Sequence, residues 1–260
     1  MLPLPAYLPK AGIQSDLIRY EWDDWKTLPQ SQASDEELTG RLAKISRRAV
    51  LALMCATAEW IVYRFDPLCD DTSPWDYLEG AWAMTIDVRY CGYGSGNWWQ
   101  EHAVDGWHGP VKGIIAEALE RLEVAIQQLF WEGTDPVRRA GLVDALARYV
   151  MPDTAPYLEW RERIVKRFES LFPRDADDPL GDPVPREAVD PDLEFDPARS
   201  EALLRRYLAG LDHRRNIFLS SPEAMTEPDD AGESFRGVPY SFDLAVDRRM
   251  RREVEGHDHE

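Results

Sequence analysis

At several points along this chain, a proline that follows a short polar residue or a glycine opens a stretch with helical spacing of apolar side chains. The clearest pairs are Ser73-Pro74, Gly109-Pro110, Asp135-Pro136 and Asp196-Pro197. Proline at the first helical position loses no hydrogen bond, because the amide there has no partner within the helix, and a preceding Ser or Asp can cap the free amides. The pattern predicts an all-α protein, an irregular bundle of about six main helices.

Composition and apolar spacing divide the 260-residue chain into four segments. They are, in order, an extended N-terminal arm, a helical core, an acidic linker or surface loop near the C-terminal third, and a C-terminal helix with a mixed tail that packs on the core: 1–33, 34–172, 173–196 and 197–260. In the arm, Trp22 and Trp25 are predicted to anchor the chain to the helical body.

The first helix is predicted to begin at Ser34, where Glu37 completes a capping box, and to run without a break to Asp66-Pro67. Its apolar residues recur at steps of three and four as far as Tyr63, so we expect one face to be buried. Further helices are predicted after the prolines that follow at intervals, with a short helical turn at the last: Pro74, Pro110, Pro136, Pro156, Pro197 and Pro222.

The C-terminal region has a weaker pattern. The stretch from Phe235 to Phe242 is predicted to be a short extended piece laid on the body. From Asp247 onward, arginine alternates with glutamate, so this tail is predicted to be frayed.

The chain is strongly acidic, with 48 Asp and Glu against 30 Lys and Arg and a formal net charge of -18. Such a surface repels phosphate backbones and anionic lipid, so direct binding of nucleic acid or membrane is not expected. It attracts a basic protein and speeds its association, so a basic protein is the predicted partner. The alternative is that the acidity serves only solubility.

Three cysteines, Cys55, Cys69 and Cys91, are odd in number and widely spaced, so they fit neither a disulfide framework nor a zinc knuckle. A reducing cytoplasm is the expected compartment. The N-terminus lacks the basic start of a signal peptide, and no run of apolar residues is long enough for a membrane span. Arginine outnumbers lysine 25 to 5, a bias typical of a GC-rich bacterial genome.

The segment 91–108 interrupts the helical pattern with glycines and aromatic residues. It lacks both the Gly-Lys-Ser/Thr of a phosphate loop and the strand that precedes a dinucleotide fingerprint, so no nucleotide cofactor is predicted. Its four potential metal ligands are Glu101, His102, Asp105 and His108. Histidines one helical turn apart are missing, so these side chains are expected to cap and pin the loop, and no metal is predicted.

Tryptophan and tyrosine beside carboxylates are what a binding hot spot for an arginine-rich or lysine-rich partner requires. The aromatic-rich loop and the acidic segment are therefore the predicted partner-binding elements, with these residues: Tyr93, Trp98, Trp99, Glu101, Asp105, Trp107, Asp175, Asp177, Asp178 and Asp182. The alternatives are that the tryptophans fold inward as a satellite core and that the acidic segment is simply solvated.

These observations favour a bacterial protein that acts by binding, such as an immunity protein, an antitoxin or an accessory subunit of a defence system. The alternative is an enzyme, a ribonuclease or a metal-dependent hydrolase that uses His102, His108 or His213. Arg206 and His213 have the spacing found in HEPN-type ribonucleases, but Tyr207 stands where that family usually has a small polar side chain. No catalytic residue is therefore assigned. A structural subunit of a larger assembly is the third possibility, and a broad apolar patch would indicate it.

Overall fold

A computed structural model of the chain describes residues 3–24, 35–91, 106–227, 235 and 237–255. Within them the protein is all-α, as predicted, and contains ten α-helices, eight of which have seven residues or more. In chain order these are α1 Tyr7–Lys10, α2 Glu36–Leu42, α3 Arg47–Phe65, α4 Ser73–Met84, α5 Gly109–Glu132, α6 Val137–Val150, α7 Ala155–Leu171, α8 Ser200–Ala209, α9 Pro222–Thr226 and α10 Leu244–Glu255.

Helix α3 forms the centre of the bundle, and α4, α5, α6 and α7 pack around it. Every residue of α3 after Arg47 is buried. The prediction of a single buried face was therefore wrong, because neighbours cover this helix on all sides. The C-terminal half of α3 belongs to an aromatic cluster. The centre of the Trp60 ring lies 5.5 Å from the ring centres of both Tyr157 and Trp160.

The prediction of one unbroken helix from Ser34 to Asp66 was also wrong. Ser34 lies outside the described residues, and the helical run is divided into α2 and α3 between residues 43 and 46. At this break the Ser46 amide donates to the Phe172 carbonyl at 2.9 Å and the Ser46 hydroxyl accepts from the Ala49 amide at 3.3 Å. Pairing with a distant segment and a new N-cap thus replace the local helical bonds.

The other helix starts agree closely with the cap-and-proline pattern. Prolines occupy the first turn of α4, α5, α7 and α9. Helix α5 ends at Gly133, whose left-handed conformation (φ 63°) is the one that glycine tolerates best. After Asp196, a short 3-10 turn at Pro197–Arg199 leads into α8.

The predicted frayed tail is wrong for residues 247–255, which belong to helix α10. The predicted extended piece before it is also wrong, since the described residues 237–243 contain a turn and no strand. In the arm, Trp22 is half-buried and packs against the core, and α1 buries Tyr7 and Leu8. Trp25 lies outside the described residues.

The acidic segment lies against the body over much of its length. Val184, Ala188 and Val189 are buried in the main core. The backbone of the segment also caps α3, since the carbonyls of Pro179 and Leu180 accept from the Arg47 and Arg48 amides at 3.0 and 3.1 Å.

Candidate partner-binding surface

Most of the predicted aromatic-rich loop falls outside the described residues, and so does one of the candidate histidines. These positions are Tyr93, Trp98, Trp99, Glu101, His102 and Asp105. Their proposed roles stay predictions. The described members of the predicted set are Trp107, at the C-terminal end of the loop, and four carboxylates of the acidic segment.

Trp107 lies two residues before α5 and joins the loop to the core. It is half-buried and packs against the main apolar cluster. The Lys112 ammonium, in the first turns of α5, lies 5.5 Å from the centre of the Trp107 ring, a cation–π distance. The same ammonium lies 3.8 Å from Asp70, whose side chain is 97% exposed. Trp107 therefore contacts the core on one side and has the Lys112 ammonium and the exposed Asp70 carboxylate nearby.

The N-terminal arm crosses the start of α5 at this point. The Asp24 carboxylate accepts from the Trp22 indole at 2.7 Å and from the Gly109 amide at 2.8 Å, so it caps a helix from far away in sequence. These two hydrogen bonds, the Trp22 bond being the stronger influence, hold the pKa of Asp24 below its ordinary value. The close approach depends on Gly113, where a Cβ would lie 2.8 Å from the Trp22 indole nitrogen.

Two pairs of exposed carboxylates adjoin the start of α5, where Asp24 accepts from the Gly109 amide and Asp70 pairs with Lys112. Asp23 and Asp24 come from the arm, and Asp70 and Asp71 come from the turn after α3. Asp23 and His108 both act electrostatically on Asp24, while Asp70, Asp71 and Lys112 all act on Cys69 between them. We call these four carboxylates with Trp107 the acidic foot. Lys112 offsets one of the four charges, so the acidic foot is net negative.

The carboxylates of the acidic segment divide into two kinds. Asp175 and Asp177 are exposed, and the Asp175 carboxylate accepts from the Asp177 amide in a tight turn. Asp178 and Asp182 are half-buried and form ion pairs with arginines of α10. Burial alone would raise the pKa of Asp182, but the hydrogen bonds from Arg248 and Arg251 outweigh it and lower that pKa.

The histidines of the enzymatic alternative lie in separate places. His108 is exposed and immediately precedes α5. His213 stacks on the Tyr240 ring with 6.0 Å between ring centres, and Arg206 pairs instead with Glu187 at 2.6 Å. Among the residues that the structure describes, no group of three or more His, Cys, Asp or Glu side chains is placed to hold a metal ion.

Polar groups buried in the core were missed by the sequence analysis. Glu59 of α3 is completely buried and accepts from the Trp82 indole and from the Arg186 guanidinium, both at 2.7 Å. A lone glutamate inside the apolar run 49–63 is visible in the sequence and could have revealed this group.

A cavity of about 10 Å³ beside Asp144, Tyr157 and Arg161 has room for no more than one water molecule.

In the described part of the chain, no helix is both long and apolar enough to pass through a lipid bilayer. Comparison of the sequence and structure with family models, with curated proteins and with solved structures finds no match in any of the three. The functional argument therefore depends on the chemistry of the surface.

Proposed function

We propose that this protein binds a basic protein partner through the acidic foot. The observation that carries the proposal is a half-buried tryptophan at the end of the aromatic-rich loop, next to the start of α5, where Asp24 caps the helix and Asp70 pairs with Lys112. Aromatic side chains supply most of the binding energy at such centres, while surrounding charges set the register and the on-rate. The anchoring of Trp107 on the core supports this, because a fixed side chain loses less entropy on binding.

The formal net charge of -18 supports long-range attraction of a cationic partner. In its narrower form, the proposal is that a bacterial immunity protein, antitoxin or defence accessory subunit occludes a basic protein in the cytoplasm. Free Cys55, Cys69 and Cys91 support a reducing compartment. The partner is blocked sterically: carboxylates attract it, and aromatic side chains bind it so that its surface is covered. Asp175, Asp177 and the aromatic residues of the loop belong to the same proposal.

The test compares two pairs of charge-neutralising variants of the full chain. The site pair is Asp23→Asn with Asp70→Asn; the control pair is Glu159→Gln with Glu194→Gln, which removes the same charge at exposed positions elsewhere. Each protein is immobilised and used to capture proteins from a GC-rich bacterial lysate at low and moderate salt, with identification by mass spectrometry. We expect basic proteins to be captured by the native chain and by the control pair, and less by the site pair.

Trp107→Ala is the companion variant. We expect it to weaken binding of the captured partner by about tenfold or more, as truncation of a hot-spot tryptophan does, with unchanged helical content by circular dichroism. Equal capture by the site pair and the control pair, together with full binding by Trp107→Ala, would contradict the proposal.

A further inference from the structure

The C-terminal helix α10 is unusually rich in arginine for a chain of this charge. Four of its residues are arginine, at positions 248, 249, 251 and 252. Yet two charged side chains of this helix are buried: Asp247 is 8% exposed and Arg251 is 9% exposed. A helix that buries charge on the surface of a protein is held by specific partners.

Asp247 meets the start of the central helix. Its carboxylate accepts from both terminal nitrogens of Arg48 at 3.0 to 3.1 Å. Arg48 is itself 3% exposed and also donates to the Ile86 carbonyl at 2.8 Å. Arg48 is therefore a fixed cation beneath α10, and it binds the carboxylate of the helix that packs over it.

Two arginines of α10 reach the acidic turn 178–182 from the same face of the helix. Arg251 contacts Asp178 and Asp182, each at 2.9 Å, and Arg248 donates to Asp182 at 2.9 Å. Residues three positions apart lie side by side on a helix, so the pair matches the two carboxylates in spacing. The groove thus recognises an Asp-Arg-x-x-Arg face.

Apolar contacts contribute little to this docking. Among the described side chains of α10, Leu244 is the one that packs against an apolar cluster. Val246 and Met250 are half-buried and belong to neither cluster. Among the described side chains, charge and hydrogen bonding are therefore the main attraction between α10 and the body.

We propose that the groove formed by Arg48, Asp178 and Asp182 is a receptor for an arginine-bearing helix of a partner protein, and that α10 occupies it in cis until that partner displaces it. The inference rests on the proposed function for the basic character of the partner. Charge complementarity supports this occupant, since Asp178 and Asp182 match two arginines of the helix and Arg48 matches its aspartate. Phe242, two residues before α10, is buried in the second apolar cluster, so α10 is joined to the body by a short tether at Asp243 and can be released by a hinge there while the bundle stays folded.

The groove lies at the opposite end of α3 from the acidic foot. Arg48 is in the first turn of α3, and Asp70 follows its last residue; a 19-residue helix is about 28 Å long. Changes at one site therefore leave the other intact. Equal capture by the site pair and the control pair contradicts the proposed function whatever α10 does. An α10 that does not respond to the peptide contradicts the groove assignment whatever is captured.

The test follows amide hydrogen exchange of the full chain by mass spectrometry. The probe is a synthetic peptide of residues 243–255, added at about 5 mM, because a short tether gives the internal helix an effective concentration on the order of millimolar. We expect exchange of the chain's own α10 amides to rise at least about tenfold, while α3 stays protected. A peptide with Arg248→Glu and Arg251→Glu should have no effect.

Matched variants of the chain itself complete the test. Arg248→Glu with Arg251→Glu should release α10 and strengthen binding of the native peptide. Arg249→Glu with Arg252→Glu makes the same charge change on exposed positions of the same helix and should do neither. Arg248→Glu alone, at a half-exposed position, serves if the double variant fails to fold. No response of α10 to the native peptide, or equal effects of the two pairs, would overturn the proposal.

Discussion

The central helix α3 and the C-terminal helix α10 both bury charged side chains, but among different neighbours. In α3, the completely buried Glu59 carboxylate accepts from the Trp82 indole and the Arg186 guanidinium. In α10, Asp247 and Arg251 are held almost entirely by other charges. The same type of contact therefore lies inside the core in one helix, whereas in the other it joins a peripheral helix to the body.

The difference lies in what happens when one partner is removed. The Glu59 carboxylate in α3 has no route to water unless the bundle opens, so removal of its charge leaves the Arg186 guanidinium unpaired at the full cost of a buried ion. A charge in α10 reaches water by undocking of one helix, so the cost is limited to that local step. Four measurements, given from the largest expected effect to the smallest, would break or sharpen this comparison.

Glu59→Gln should give the largest effect, since it leaves the half-enclosed Arg186 guanidinium without its counter-charge. We expect a loss of about 3–5 kcal/mol in the free energy of unfolding, measured by chemical denaturation. Replacing both Glu59 and Arg186 by methionine should recover most of it. Glu159→Gln, at an exposed position, is the control and should change stability by less than about 0.5 kcal/mol. A similar small change for Glu59→Gln would contradict the role given to α3.

Arg48→Met should cost less, about 2 kcal/mol, because α10 can leave and hydrate Asp247. The distinguishing measurement is hydrogen exchange, which should rise in residues 244–255 and remain slow in α3. If α3 and α10 lose protection together, the two helices do not differ in the way described here.

Gly113→Ala should displace the arm from α5, since the added Cβ would lie 2.8 Å from the Trp22 indole nitrogen and 3.0 Å from Asp24. Overpacking of this kind costs about 1–3 kcal/mol. Gly40→Ala is the matched control, because Gly40 lies exposed in α2 with nothing within 4 Å of its Cβ position. That variant should gain about 0.5–1 kcal/mol from lower chain entropy. Thermal or chemical denaturation of both variants measures the change in the free energy of unfolding, which should fall for Gly113→Ala and rise for Gly40→Ala.

Acidification should loosen α10 before α3. The pKa of Asp182 is lowered in the folded state, so its contribution is present above the ordinary value of 3.8 and is lost as pH falls through the lowered value. Burial raises the pKa of Asp87, which faces Arg48 and Asp247, so protonation of Asp87 does not drive release. Hydrogen exchange, corrected for the intrinsic effect of pH, should increase in α10 below pH 3.8. An unchanged α10 there would contradict the charge-held docking.

The sequence pattern predicted the helix starts well because proline and cap residues act locally. It failed at residues 43–46, where pairing with Phe172 and Arg174 interrupts a sequence that is helical by spacing alone. It also failed for α10, which has too little apolar periodicity to be recognised and is stabilised by partners 66 to 199 positions away. For the candidate site, the sequence pointed to Trp107 but not to Asp23, Asp24, Asp70 and Asp71, because only the folded chain brings them together.

The attachment of the arm has a consequence for synthesis. The Pro3 carbonyl accepts from Arg186 at 2.6 Å, and Lys10 pairs with Asp192 at 3.0 Å, so these arm residues wait for partners made more than 180 residues later. At ribosomal speeds of about 5–20 residues per second, that delay is on the order of 10–40 s. Until then the arm lacks two of the polar contacts that flank Tyr7, whose ring lies 6.0 Å from Trp60 in the folded protein.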